Sequence, residues 1–280
     1  MAVDFHTHLF PPWVQERHSE LLKRDATFVA LYSDPKASLA TAEELIESMD
    51  RAGVEKSVAL NIGWVEHALC VETNDYLLEA AARYPHRLVP FCAVQPRAGE
   101  AAINELARCA KGGARGLGEL RPDVQGYSLK DEALLTPLVS EAMRWGLIFL
   151  IHASEPVGHH YPGKGTITPD QLYAFCRLYP DLPLVAAHWG GGLPFYSLMP
   201  EVAQALKNVY FDTAASHLLY RPQIYSLVTS LVGPDKVLFG SDYPLISQAE
   251  ALGRVRELGL EKEIEDLLLG GNARRLLEKR

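Results

Sequence analysis

The stretch of the chain with the clearest chemical potential is Asp4-Phe-His6-Thr-His8. Side chains alternate along a strand, so His6 and His8 point to the same side, two residues apart. Two imidazoles held together away from water need a partner for their lone pairs, and a divalent cation supplies one. Other apolar runs end in the same kind of residue. Leu147-Ile-Phe-Leu-Ile-His152 and Leu184-Val-Ala-Ala-His188 each finish in a histidine, and Val237-Leu-Phe-Gly-Ser-Asp242 finishes in a carboxylate. Any one of these alone reads as the first polar residue of a loop. Four runs that bring four histidines and an aspartate to one rim read as a metal site.

Such a rim needs strands that run in parallel. Short β-branched runs alternate with longer helical patterns, the βαβ signature. Strands are predicted at 3–5, 56–62, 88–94, 116–120, 147–152, 184–188, 209–212 and 237–240. Helical spacing marks 42–52, 74–84, 101–110, 132–145, 169–179 and 224–232. The first of these opens with Thr41 and Glu44 as a capping box and stops at Gly53. Eight strand–helix units predict an α/β fold, a (β/α)₈ TIM barrel, with residues 1–280 as a single domain. Residues 9–40, between the first strand and its helix, are too long for a plain connection and predict a lid-like insertion over the barrel mouth.

The chain has 280 residues, 48% of them hydrophobic and 22% charged, which excludes a disordered or fibrous chain. Its net charge of −8 offers no broad basic face, so nucleic acid is not an expected partner. No apolar run is long enough to span a bilayer, and the opening residues lack the pattern of a signal peptide. Cys70, Cys92, Cys109 and Cys176 show neither a CxxC pair nor regular spacing, which argues against a disulfide framework or thiolate zinc. A cytoplasmic enzyme acting on a small molecule is expected.

Together, DFHTH, the histidines closing strands five and six, FGSDYP on strand eight and GGNARRLL near the C-terminus resemble the amidohydrolase superfamily. The similarity is closest to its amidohydrolase-related branch of TIM-barrel hydrolases and decarboxylases. Carried over position by position, the resemblance implies His6, His8, His152 and Asp242 as ligands of one metal. It implies His188 as a catalytic histidine or as a ligand of a second metal. Where two-metal members often carry a modified lysine, this chain reads Gly116-Leu-Gly-Glu119. Glu119 is therefore either a further ligand or a carboxylate that orients a ligand histidine. The resemblance also implies homodimer formation.

Imidazoles and carboxylate suit Zn²⁺, with Mn²⁺ or another first-row ion as alternatives. The first reading of function is a hydrolase: metal-bound hydroxide attacks an amide, lactone or ester carbonyl, Asp242 acts as base and His188 stabilises the developing oxyanion. The alternative is a metal-dependent decarboxylase of an aromatic or unsaturated acid, in which Arg121 is the candidate carboxylate clamp. A non-catalytic metal-binding barrel is the third reading. Trp64, Trp189 and, on the Gly/Pro-marked loop 157–165, His160 are candidate substrate contacts.

Overall fold

A computed structural model describes residues 1–278. Eight strands form one parallel sheet in sequence order. They are β1 (Ala2–His8), β2 (Val54–Leu60), β3 (Leu88–Cys92), β4 (Gly116–Leu120), β5 (Ile148–Ile151), β6 (Leu184–Ala186), β7 (Val209–Asp212) and β8 (Val237–Leu238). The first and last strands close the barrel. Phe5 N donates to Phe239 O at 2.8 Å, Asp242 N to His6 O at 3.0 Å and His8 N to Tyr243 O at 2.7 Å.

The apolar runs of the strands are buried on both faces, as strands between a barrel interior and a helix layer must be. Val3, Phe5, Leu60, Phe91, Leu150 and Val185 belong to one buried cluster. A larger cluster joins residues such as Leu117, Phe149 and Phe211 to the helices outside. Helix Ala42–Ala52 has both bonds of the predicted capping box and ends at Gly53 with φ 71°, a left-handed conformation that costs glycine little. The predicted helix 74–84 begins earlier, at His67. Strand β6 ends two residues before the sequence predicts, because His188 and Trp189 take left-handed φ values of 54° and 59°.

Residues 9–40 carry three short helices, Pro12–Glu16, His18–Arg24 and Ala26–Tyr32. They are docked against the barrel as a wall. Asp25 caps the third helix through Thr27 N and Phe28 N, while its other oxygen accepts from Val65 N at 2.7 Å and Glu66 N at 3.2 Å. Thr27 Oγ1 donates to Gly63 O at 2.6 Å, and Phe28 stacks on Trp64 at 5.6 Å. Among the described residues, no helix is long and apolar enough to cross a membrane.

Candidate metal centre

The strand ends converge at one mouth of the barrel. His6 and His8 leave β1 on the same side, and their Nε2 atoms lie 3.1 Å apart. Asp242 Oδ1 sits 3.7 Å from His6 Nε2 and 3.6 Å from His8 Nε2. Glu119, from β4, places Oε1 4.0 Å from His6 Nε2 and Oε2 3.8 Å from His8 Nε2. On its other side Glu119 Oε1 accepts from His152 Nδ1 at 2.9 Å and faces His188 Nε2 at 3.4 Å. Two groups able to hold a cation thus share Glu119: His6 with His8, and His152 with His188.

Outer hydrogen bonds fix how the rings present themselves. Asp212, at the end of β7, is fully buried and accepts from His6 Nδ1 at 2.9 Å. A carboxylate only accepts, so His6 carries a proton on Nδ1, which leaves Nε2, facing His8, as the atom a metal would take in place of a proton. The other oxygen of Asp212 accepts from His188 N at 2.9 Å and Ala214 N at 3.1 Å. His188 Nδ1 donates to Ala214 O at 3.1 Å, which directs Nε2 at Glu119. Asp4 ties β1 to the Asp242 turn by accepting from Ser241 N and Oγ and from Gln248 Nε2. Both His188 and Asp242 (φ 69°) sit in left-handed backbone, a conformation that clusters at functional sites.

The electrostatics of this cluster favour an added cation. Burial works against a charge on His6, yet the charge and hydrogen bond of Asp212 outweigh it and raise its pKa to about 10. His188 is likewise opposed by burial and lifted to about 9 by its hydrogen bond to Glu119 and the charges of Asp242 and Glu119. Burial and the neighbouring His6 charge push His8 down to about 4. Burial opposes ionisation of Glu119, but His152, His188 and His6 hold it well below the usual range. Among the described residues, His8 Nδ1 is buried without a hydrogen-bond partner. Buried carboxylates, converging imidazole nitrogens whose protons a cation would displace, and an orphaned ring nitrogen fit a divalent ion.

The cluster floors a cavity of about 510 Å³. Its walls are largely apolar, with Leu31, Pro162, Leu218, Leu219, Pro244 and Leu245 around the mouth. Tyr32, His159 and Tyr161 add polar edges.

The amidohydrolase family profile matches residues 3–279, nearly the full chain. The chain belongs to the amidohydrolase family. Relatives of this family member carry more specific names. It is 23% identical to a 2-amino-3-carboxymuconate-6-semialdehyde decarboxylase of Dictyostelium discoideum, over 98% of this chain and 90% of the relative. It is 21% identical to a gamma-resorcylate decarboxylase of a Polaromonas species, over 83% and 86%. In structure it resembles a 5-carboxyvanillate decarboxylase of Novosphingobium aromaticivorans with bound manganese and a nitrobenzoic acid (TM-score 0.81, 18% identity, 99% and 97% coverage). The fold expected from the strand pattern is thus the fold of the family, and the membership expected from the resemblance is shown, while the named relatives are decarboxylases and not the hydrolases expected first.

The predicted site residues divide into those that meet and those that do not. His6, His8, Glu119, His152, His188 and Asp242 come together. The two tryptophans do not line the cavity. Trp64 is fully buried, with Nε1 donating to Asn61 Oδ1 at 2.8 Å and its ring against Phe28, so it anchors the insertion. Trp189 is buried against Tyr225, its Nε1 donating to Ser216 Oγ at 2.8 Å. His160 is exposed and outside the cavity; its neighbour His159 lines it instead. Arg121 is buried rather than open to the cavity, and its Nη2 donates to Gly163 O at 2.7 Å. Loop 157–165 covers it, with Gly165 so close that a Cβ there would lie 3.1 Å from Arg121 Nη2 and 2.6 Å from Asp123 Oδ2. Asp212 and Tyr32 were not anticipated. The run Val209-Tyr-Phe-Asp212 ends in a carboxylate just as the run Val237–Asp242 does, and that pattern could have flagged Asp212.

Proposed function

We propose that this protein is a metal-dependent decarboxylase of a small, flat carboxylic acid. The observation that carries this reading is that two relatives matched along most of the chain are both named decarboxylases of carboxylated unsaturated or aromatic compounds. The carbonyl hydrolysis expected first from the sequence has no such support, and its alternative takes its place. A mostly apolar cavity of about 510 Å³ above a cluster of metal-ligating groups suits a flat acid.

The residues placed to hold the metal are His6, His8 and Asp242, with Glu119 beside them. A divalent ion held by these residues would supply Lewis acidity toward the acid's carboxylate. Manganese accompanies the Novosphingobium neighbour, and Zn²⁺ shares the same donor chemistry. Asp212 holds a proton on His6 Nδ1 and so turns Nε2 to the metal side, and Glu119 anchors His152. His188 is the proton donor in this reading. Its Nδ1 is held by Ala214 O, so Nε2 is the atom that can reach the cavity. The bond from the ring or alkene carbon to the carboxylate breaks, its electron pair stays on that carbon, and the His188 Nε2 proton passes to it as CO₂ leaves. The apolar walls keep water from competing for that electron pair.

The test is a panel of hydroxylated benzoates and unsaturated diacids with Mn²⁺- or Zn²⁺-loaded protein, read by CO₂ release, beside a panel of lactones and amides read by acid release. CO₂ from at least one acid, lost in His188→Ala with metal content unchanged, is the expected result. Hydrolysis of a lactone or amide with no CO₂ from any acid would return the reading to a hydrolase.

A further inference from the structure

Tyr32 ends the insertion helix Ala26–Tyr32 and lines the cavity that holds His8, Glu119, His152, His188 and Asp242. Its ring is fixed on two sides, edge-on by Phe10 at 5.3 Å and tilted against Phe28 at 5.0 Å. His18 Nε2 donates to its carbonyl oxygen at 3.0 Å. The helix is itself pinned by Asp25 and Thr27 to the turn after β2. The residue is 7% exposed, yet among the described residues its hydroxyl has no hydrogen-bond partner. Burial, reinforced by the charges of Asp242 and Glu119, drives its pKa upward, so the phenol keeps its proton and remains a donor.

Several other polar groups nearby are committed, although Lys36 and His159 also line the cavity. Tyr161 O–H donates to Glu155 Oε2 at 2.9 Å. His152 is held by Glu119 and Ser154, and His188 Nδ1 by Ala214 O. Arg121 lies behind loop 157–165 with one donor on Gly163 O. An acid entering this chamber meets two resident carboxylates, Glu119 and Asp242, and needs hydrogen-bond donors that do not compete with the metal.

Resting on the decarboxylase reading above, we infer that Tyr32 is a positioning residue whose phenol O–H donates to a carboxylate oxygen of the bound acid. The insertion after β1 then does more than wall the cavity. It supplies the contact by which the site separates an acid from a neutral ring of the same size.

The test is a titration of Mn²⁺-loaded protein with benzoate, 2-hydroxybenzoate and catechol, the last lacking a carboxylate. Tyr32→Phe keeps the ring and its packing and removes only the hydroxyl. A hydrogen bond to a charged acceptor predicts that Y32F binds both acids about ten- to a hundredfold more weakly. Catechol affinity, manganese content and thermal midpoint should stay as in the wild type. Unchanged acid affinity in Y32F, an equal loss for catechol, or a wild type that binds neither acid would each overturn the inference. CO₂ is not the readout here. A wild type that binds both acids but releases CO₂ from none would sink the decarboxylase reading, and a selective loss in Y32F would still support the role of Tyr32. CO₂ release with unchanged acid binding in Y32F would do the reverse.

Discussion

Replacing Asp212 by asparagine tests how the outer hydrogen bonds govern the metal centre. Three N–H groups converge on the two oxygens of Asp212: His188 N and Ala214 N on Oδ1, and His6 Nδ1 on Oδ2. Asparagine has one oxygen and one NH₂. If the NH₂ faced the two backbone donors, two buried N–H groups would lose their acceptor, at about 1–3 kcal/mol each. The cheaper placement keeps oxygen toward the backbone and turns NH₂ to His6. His6 Nδ1 must then accept, and its proton moves to Nε2, the atom that faces His8 across 3.1 Å. Stability therefore changes little while the metal loses a ligand lone pair. Losing such an orienting partner typically weakens metal binding about 10- to 100-fold, equivalent to ~1.4–2.8 kcal/mol. Manganese titration in a competing chelator, with urea unfolding of the metal-free protein alongside, measures both quantities. A D212N variant whose manganese affinity stays within twofold of wild type would refute the tautomer argument.

Other expectations follow from equally specific contacts. His6→Ala should abolish turnover and bound metal together, checked by elemental analysis; metal retained at full occupancy would move the site elsewhere. Trp64→Ala should destabilise the fold by about 3–5 kcal/mol in denaturant unfolding and weaken acid binding in the remaining folded protein, because Trp64 packs on Phe28, one of the two rings that fix Tyr32. Burial opposes the charge on Glu105, but hydrogen bonds from Arg108, Asn74 and Cys109 outweigh it and lower its pKa. A folded pKa below the unfolded one adds stability above the ordinary carboxylate range, and that stability is lost as pH falls through the folded value. Glu105→Gln should thus lower the melting temperature at pH 7 and narrow its difference from wild type in acid.

Much of this architecture was legible because strand ends in a barrel share one destination. A histidine or carboxylate closing an apolar run lands at the mouth whichever strand carries it, so His6, His8, His152, His188 and Asp242 could be grouped without coordinates. What failed was direction. Trp64 and Trp189 follow strands just as Ala215 does, which lines the cavity after β7, but the sequence does not record whether a ring turns inward or packs under a neighbouring loop. The adjacent histidines 159 and 160 differ only in which way the loop presents them. Arg121 follows β4 closely enough to be expected in the pocket, yet a loop folding back from after β5 covers it. Tyr32 was hidden for the opposite reason, since its position comes from the tertiary docking of three short helices that no local pattern specifies.

The barrel's seam has a consequence for how the protein comes into being. The centre straddles the junction of β1 and β8, and Asp4 and Ser241, 237 residues apart, are bonded across it. During synthesis His6 and His8 emerge early but wait for almost the entire chain before Asp242 can join them. Closure is then a late, long-range event of the kind that slows folding. A metal ion seated across that junction would act as a clasp, binding only a ring that has already shut. Metal content per chain would then also count the molecules that finished folding. A circular permutant with new termini away from the seam, and its old ends linked, should acquire its metal sooner after refolding begins.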